Sequence, residues 1–201
     1  MEAVARWVRS TPESFCFAVK ASRYLTHVKR LREMPAGVAL LDDRIAPLRA
    51  ARKLGPVLWQ LPAQFRRDDE RLASALSALS SGRHAFEFRH TSWFHDDVYA
   101  LLRKHGVALV VADRGPDPPT RWVDTADWAY VRFHFGRGGG GSYSATELRK
   151  WADRISRAPG DVYVYFNNDW EGFAIENART LRSFLGVDAR AAFSRAEASE
   201  R

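Results

Sequence analysis

A single cysteine, Cys16, is all the chain has, which excludes an internal disulfide and every CxxC redox or zinc motif. Between Phe15 and Phe17 that thiol is expected to be buried and inert. No run approaches the ~18 apolar residues of a membrane span, and residues 1–10 read as an amphipathic helix rather than a secretory signal. A cytoplasmic protein without a membrane partner is expected. GxSxG, GxxxxGK[ST] and HExxH are also missing, so nothing supports a hydrolase elbow, a P-loop or a helix-borne zinc site. His134, Glu87 and Asp113 would suit a facial metal site by donor type, but Lys20, Arg89 and Arg132 compete for the same carboxylates. No metal and no cofactor is called for.

What is present is ordinary for a globular protein: 46% hydrophobic and 27% charged residues in a chain of 201, enough for one α/β domain with a sizeable core. Residues 1–188 read as a single domain and 189–201, rich in Ala, Arg, Ser and Glu, as a frayed tail. The net charge is +7, but 26 of the 31 basic residues are Arg scattered along the chain. That bias alone does not single out nucleic acid as a partner.

Short β-branched or aromatic runs alternate with helix-period stripes, the pattern of repeated βα units around a parallel sheet. Six strands are expected, over 15–20, 57–61, 85–89, 107–113, 129–135 and 162–167. Leu72, Leu76 and Leu79, or Leu148, Trp151 and Ile155, give each intervening helix one apolar face. Gly55, Gly82, Gly106 and Gly186 stand where C-terminal caps are wanted. Ser144 and Glu147 have capping-box spacing, and Pro47 is expected to open a second short helix. Three prolines between 114 and 127 make that connection a loop, and the last helix should run over 173–185.

The fold class that follows is α/β, a TIM-type (β/α) barrel, in which alternate strand residues face the interior and the C-terminal strand ends carry the site. Placing the bulky residues outward puts Lys20, Gln60, Glu87, Arg89, Asp113, Arg132, His134 and Asn167 inside at one end. A purely structural ion network of this size, Glu87 with Arg132 or Arg89 with Asp113, is costly to bury, so a functional site is the better reading.

These strand ends also carry a resemblance. The segments FAVKASRYLTH (17–27), LWQLPAQF (58–65), FEFRHTSWF (86–94), VVAD (110–113), YVRFHFG (130–136) and YFNND (165–169) are similar to those of the YecE-like family, a domain of unknown function with a TIM-barrel fold. The resemblance implies that Lys20, Thr26, His27, Gln60, Glu87, Arg89, His90, Trp93, Asp113, Arg132, His134, Asn167 and Asn168 occupy shared family positions, and it supplies no reaction. Members usually open with a GTSGW-like strand and a second strand followed by an ExNxxFY-like motif, neither of which is here. The barrel is therefore expected to be incomplete, its six strands matching the third to eighth. Met1 then reads as a misassigned start with roughly 60 residues upstream, and the two open sheet edges invite self-association.

The leading expectation is a pocket for a small anionic ligand, phosphorylated or carboxylated. His134, Glu87, Asp113 and Lys20 are the catalytic candidates, and Gln60, Arg89, Arg132, Asn167, Asn168, His27, His90, Trp93 and Gly138 would bind the ligand. Gly138 enters through the glycine loop 136–141, where backbone N–H groups would cradle a phosphate. A nucleic-acid-binding barrel, with Trp93 and Tyr143 stacking on bases, is one alternative. A noncatalytic interaction protein is another, and whether the chain is an enzyme stays open.

Overall fold

Six parallel strands follow one another across the sheet in chain order, β1 to β6. They are β1 (Phe17–Lys20), β2 (Leu54–Gln60), β3 (His84–Glu87), β4 (Ala108–Asp113), β5 (Ala129–Phe133) and β6 (Val162–Phe166). The structure, a computed structural model, describes residues 2–115 and 120–187. The tail expected from 189 onward and the prolines at 116, 118 and 119 lie outside the described residues. Helices α1 (Glu2–Arg9), α2 (Met34–Ala50), α3 (Asp69–Ser77), α4 (Asp96–Lys104), α5 (Ala145–Ile155) and α6 (Phe173–Leu185) alternate with the strands, except between β4 and β5, where the described residues hold no helix. Strand, helix, next parallel strand is the signature of an incomplete TIM-type barrel. No helix among the described residues is long and apolar enough to cross a membrane.

The chain divides within β4 into two compact units. Of the described residues, 2–109 with 123–126 form the first, and 110–115 and 120–122 with 127–187 the second. In the first, Val57, Trp59, Phe86 and Leu109 join Leu48, Leu72, Leu76 and Leu102 of the helices in one buried core. In the second, Val111, Val131 and Phe133 pack with Leu148, Trp151 and Leu181. Strand pairing gives the opposite face. Leu58 sits beside Ala85 and Gln60 beside Glu87 in the first unit, and Tyr130 beside Tyr163 and Arg132 beside Tyr165 in the second.

Local chemistry sets the details. The β1–β2 ladder slips between Phe17 and Val19, opposite Gly55 and Pro56, where proline has no N–H to donate. Gly55 is thus a strand residue, not the cap expected of it. The cap of α2 is made instead by Arg52, which takes a left-handed φ of 55° while the Lys53 amide donates back to Leu48 O. Nor does Pro47 begin a new helix, since α2 runs through it to Ala50. Its missing bond falls near the C-terminal end, where little helix remains to disrupt. Ser144 and Glu147 form the capping box on α5, and Gly106 and Gly186 adopt the left-handed geometry that a cap requires.

Two buried side chains do the work of backbone pairing in the first unit. The Lys53 Nζ donates to Val8 O at 2.7 Å and Thr11 O at 2.8 Å, tying the end of α1 to the start of β2. Those carbonyls carry the negative end of the helix dipole, which suits an ammonium. The Thr125 hydroxyl accepts from the Leu109 amide at 2.8 Å and donates to Val107 O at 2.7 Å. It substitutes there for a neighbouring strand, because β4 begins to pair with β5 only at Val110.

Candidate functional site

In the first unit the expected polar residues do meet. Lys20 ends β1, Gln60 ends β2, Glu87 ends β3 and Arg89 follows two residues later. Because the strands are parallel and in register, their last side chains on one face come together. Lys20 Nζ donates to Gln60 Oε1 at 2.8 Å, and Gln60 Nε2 donates to Glu87 Oε2 at 3.0 Å. Arg89 Nε reaches Glu87 Oε1 at 3.4 Å. Glu87 is 0% exposed, whereas the Arg89 side chain is 36% exposed and Lys20 is exposed. The buried carboxylate accepts through both oxygens, so it acts as an anchor that positions two cations. Glu87, one of the catalytic candidates, is thereby engaged by Gln60 and Arg89.

His27 lies within electrostatic reach of Lys20, Arg23 and Arg89. Burial first, and then those three cations, hold its imidazole below its ordinary value. Its Nδ1 meets the buried Thr26 hydroxyl at 2.9 Å. Arg23 was not singled out by sequence reasoning. It sits in the segment 17–27 as one more scattered arginine, and only the folded loop brings its charge to bear on His27.

One other expectation in this unit, for Trp93, is corrected. Trp93 is 0% exposed. Its Nε1 donates to Phe65 O at 2.6 Å, and its ring stacks on Phe88 at a centroid distance of 4.8 Å. It is core, because a large indole whose N–H finds a carbonyl is more stable buried than displayed. His90 caps a short turn, with Nδ1 accepting from the Ser92 amide at 3.2 Å.

In the second unit Arg132, nearly buried, donates through Nη2 to Asn167 Oδ1 at 2.9 Å. Asp113 does not face the same way. Its strand partner is Phe133, as Val111's is Val131, which places it on the helix-packed face near Tyr143 and Trp151. The expected phase of β4 was inverted because every other residue of that strand is apolar and buried, leaving alternation no polar marker except Asp113 itself. His134 follows β5, and its amide donates to Asp113 O at 2.8 Å.

The glycine loop is closed on itself. Gly136 N donates to Gly141 O and Gly138 N to Ser142 O, while Arg137 N donates to Glu147 Oε1. The Gly138 amide is thus spent within the loop and does not serve as the expected phosphate cradle. Asn168 Nδ2 donates to Gly141 O at 3.3 Å and to Asn177 Oδ1 at 2.8 Å, and Asn177 also brackets the backbone of Tyr143. Asn168 therefore fastens this loop. Asn177 went unnoticed in the sequence, although an asparagine in step with Leu181 and Phe184 on a helix's buried side was the available signal. Tyr143, itself buried, is no stacking platform.

Asp113 is 1% exposed. Its Oδ1 accepts from Gly115 N at 3.4 Å, and its Oδ2 has no hydrogen-bond partner among the described residues. Burial pushes the carboxyl above its usual range, against a smaller pull from the Gly115 amide, Arg137 and Trp151. The native state thus holds its proton to higher pH than the unfolded chain does. Stability is lost as pH rises through that window, and the penalty is complete above it. Asp113→Asn is expected to raise the melting temperature at pH 7 by about 3 °C, roughly 1 kcal/mol. The gain should vanish toward the unfolded carboxyl value near ~3.9. Melting curves across pH check it, and an equal gain at every pH would refute the ionisation account.

Comparisons with known proteins agree on one family. The family described as "Protein of unknown function DUF72" matches residues 1–201. The UPF0759 protein YunF of Bacillus subtilis is 27% identical over 220 residues, covering 91% of this chain and 77% of that protein. The crystal structure of a DUF72 family protein from Thermotoga maritima is similar with a TM-score of 0.82 at 29% identity, over 92% of this chain and 79% of the other. A DUF72 family protein from Enterococcus faecalis gives a TM-score of 0.76 at 24% identity, over 93% and 84%.

Proposed function

The chain belongs to the DUF72 family, proteins of unknown function, and from there we propose that it binds a small anionic ligand, phosphorylated or carboxylated, at the strand ends of its first unit. One observation carries this reading. Two exposed cations, Lys20 and Arg89, are held in place by a buried Gln60–Glu87 pair that offers one carboxylate between them. Surface cations left to themselves spread into solvent, since an exposed ion pair is worth little. Fixing two of them around a single buried anion concentrates positive charge, and an incoming anion relieves it.

The reading is one of binding rather than of a named reaction. Nucleic acid is not favoured, because the aromatic side chains expected to stack on bases, Trp93 and Tyr143, are buried.

Isothermal titration of the full chain with sodium sulfate at low ionic strength tests the proposal. Arg89→Leu is expected to weaken sulfate binding at least tenfold, and to lower the melting temperature by about 3–6 °C, because the fully buried Glu87 carboxylate loses a cation partner that is itself partly solvated. Unchanged affinity in the variant would end the assignment.

A further inference from the structure

His84 begins β3, pairs across the ladder with Val57 and is buried. Both of its ring nitrogens are engaged. Trp59 on β2, also buried, donates its indole N–H to Nδ1 at 3.0 Å, and Nε2 lies 3.0 Å from the Ser80 carbonyl in the connection between α3 and β3. An indole nitrogen only donates and a carbonyl oxygen only accepts. Nδ1 must therefore keep its lone pair and Nε2 its hydrogen, which makes the ring neutral by geometry. A second proton has one place to go, Nδ1, and there it would face the indole N–H, donor against donor.

The same connection is tied to α2. The Ser80 hydroxyl donates to Asp42 Oδ1 at 2.9 Å, Arg49 Nη2 donates to that oxygen at 3.1 Å, and Arg49 Nη1 donates to Ser81 O at 2.9 Å. The imidazole thus completes a chain of hydrogen bonds from β2 through β3 to α2. Among the charged and titratable groups around it, Asp42 and Arg49 come from α2 and Arg83 is its chain neighbour. His105, at the end of α4, lines with it a cavity of about 460 Å³. Burial is the largest influence on the ring and holds it below its ordinary value, with help from Arg49 and against the Ser80 carbonyl and Asp42.

We infer that His84 is a proton switch for this side of the first unit. Neutral, it staples Trp59 to the connection between α3 and β3. Protonated at Nδ1, it gives up the indole and turns into the cavity beside it, where the charged ring meets solvent and the Asp42 carboxylate. The Ser80 carbonyl then loses its donor, and the indole N–H is left without an acceptor in the core, a costly state for a buried donor. Opening is therefore local to these elements. The sign follows from where the proton binds better. The unfolded chain takes it up more readily than the folded one, so the staple contributes in full above the ordinary imidazole value of ~6.5 and is lost as pH falls through the lower folded value.

Nuclear magnetic resonance of the full chain between pH 8 and pH 5 tests this. At pH 8 the nitrogen shifts of His84 should show hydrogen on Nε2 and a bare Nδ1. As pH falls, the Trp59 indole resonance should move with the same midpoint as the His84 ring, and its exchange with water should quicken at least tenfold, on the order of one proton's worth of linkage. His84→Gln offers an acceptor to the indole and a donor to Ser80 but does not titrate, so its Trp59 resonance should hold still. In denaturation, the unfolding constant of the wild type should climb with acid more steeply than that of His84→Gln, by up to tenfold per pH unit. Hydrogen on Nδ1 at pH 8, or a His84 midpoint at or above ~6.5, overturns the proposal from the wild type alone, whatever the variant's stability. An indole resonance that titrates equally in His84→Gln, or equal acid slopes in the two proteins, overturns it as well.

Discussion

Trp93→Ala is expected to destabilise the protein by about 3–5 kcal/mol, lowering the melting temperature by roughly 10 °C or more. The indole is fully buried. It stacks on Phe88 and meets Phe65 edge-on at 5.3 Å, and it gives its N–H to the Phe65 carbonyl. Truncation removes one of the largest side chains of the first core and leaves that carbonyl without its donor. Trp93→Phe separates the two contributions. It keeps most of the ring volume and loses the hydrogen bond, for which about 1–3 kcal/mol is expected. Urea denaturation of the three proteins measures both differences. A Trp93→Ala variant that melts like the wild type but loses ligand binding would return Trp93 to the role the sequence suggested.

A second large effect is expected at Glu87. Glu87→Leu strands the Gln60 amide, which is itself buried, and removes the carboxylate on which Arg89 and, through Gln60, Lys20 are fixed. Breaking a buried charged contact from one side costs about 3–5 kcal/mol. Since Arg89 is partly solvated, the lower end of that range applies. The double variant Gln60→Leu/Glu87→Leu leaves no stranded partner, so it should recover most of the loss, a non-additivity that denaturation curves resolve. Its sulfate affinity should nonetheless fall at least tenfold, because nothing then fixes Lys20 and Arg89. Full recovery of stability together with intact sulfate binding would mean that the pair serves neither purpose.

These two residues also show what was legible in the sequence. The strand-and-helix order was readable because alternation of short apolar runs and amphipathic stripes is a one-dimensional signal, and α6 was placed residue for residue. The polar face of β1 to β3 was readable because Gln60 and Glu87 alternate with Trp59 and Phe86, so parity could be assigned. On β4 the same method failed at Asp113, where an all-apolar run carries no parity. Trp93 was misplaced for another reason. A polar or aromatic residue just beyond a strand end looks alike in sequence whether it faces a ligand or caps and fills its own turn. The Phe65 carbonyl that receives the indole lies 28 positions away. Arg23 was missed because charge counted along the chain does not say which cations share one imidazole.

The hydroxyl bridge of Thr125 has a kinetic consequence. Leu109 is a buried strand residue whose amide proton is sheltered by a side chain from the segment 123–126 rather than by a neighbouring strand. Its exchange with deuterated solvent is then set by release of those few residues and not by opening of the β-ladder, so it should be faster than that of amides bonded between β2 and β3. Leu109 becomes a built-in clock for one tether, reporting how often the chain lets go of the first unit there while the rest of that unit stays folded.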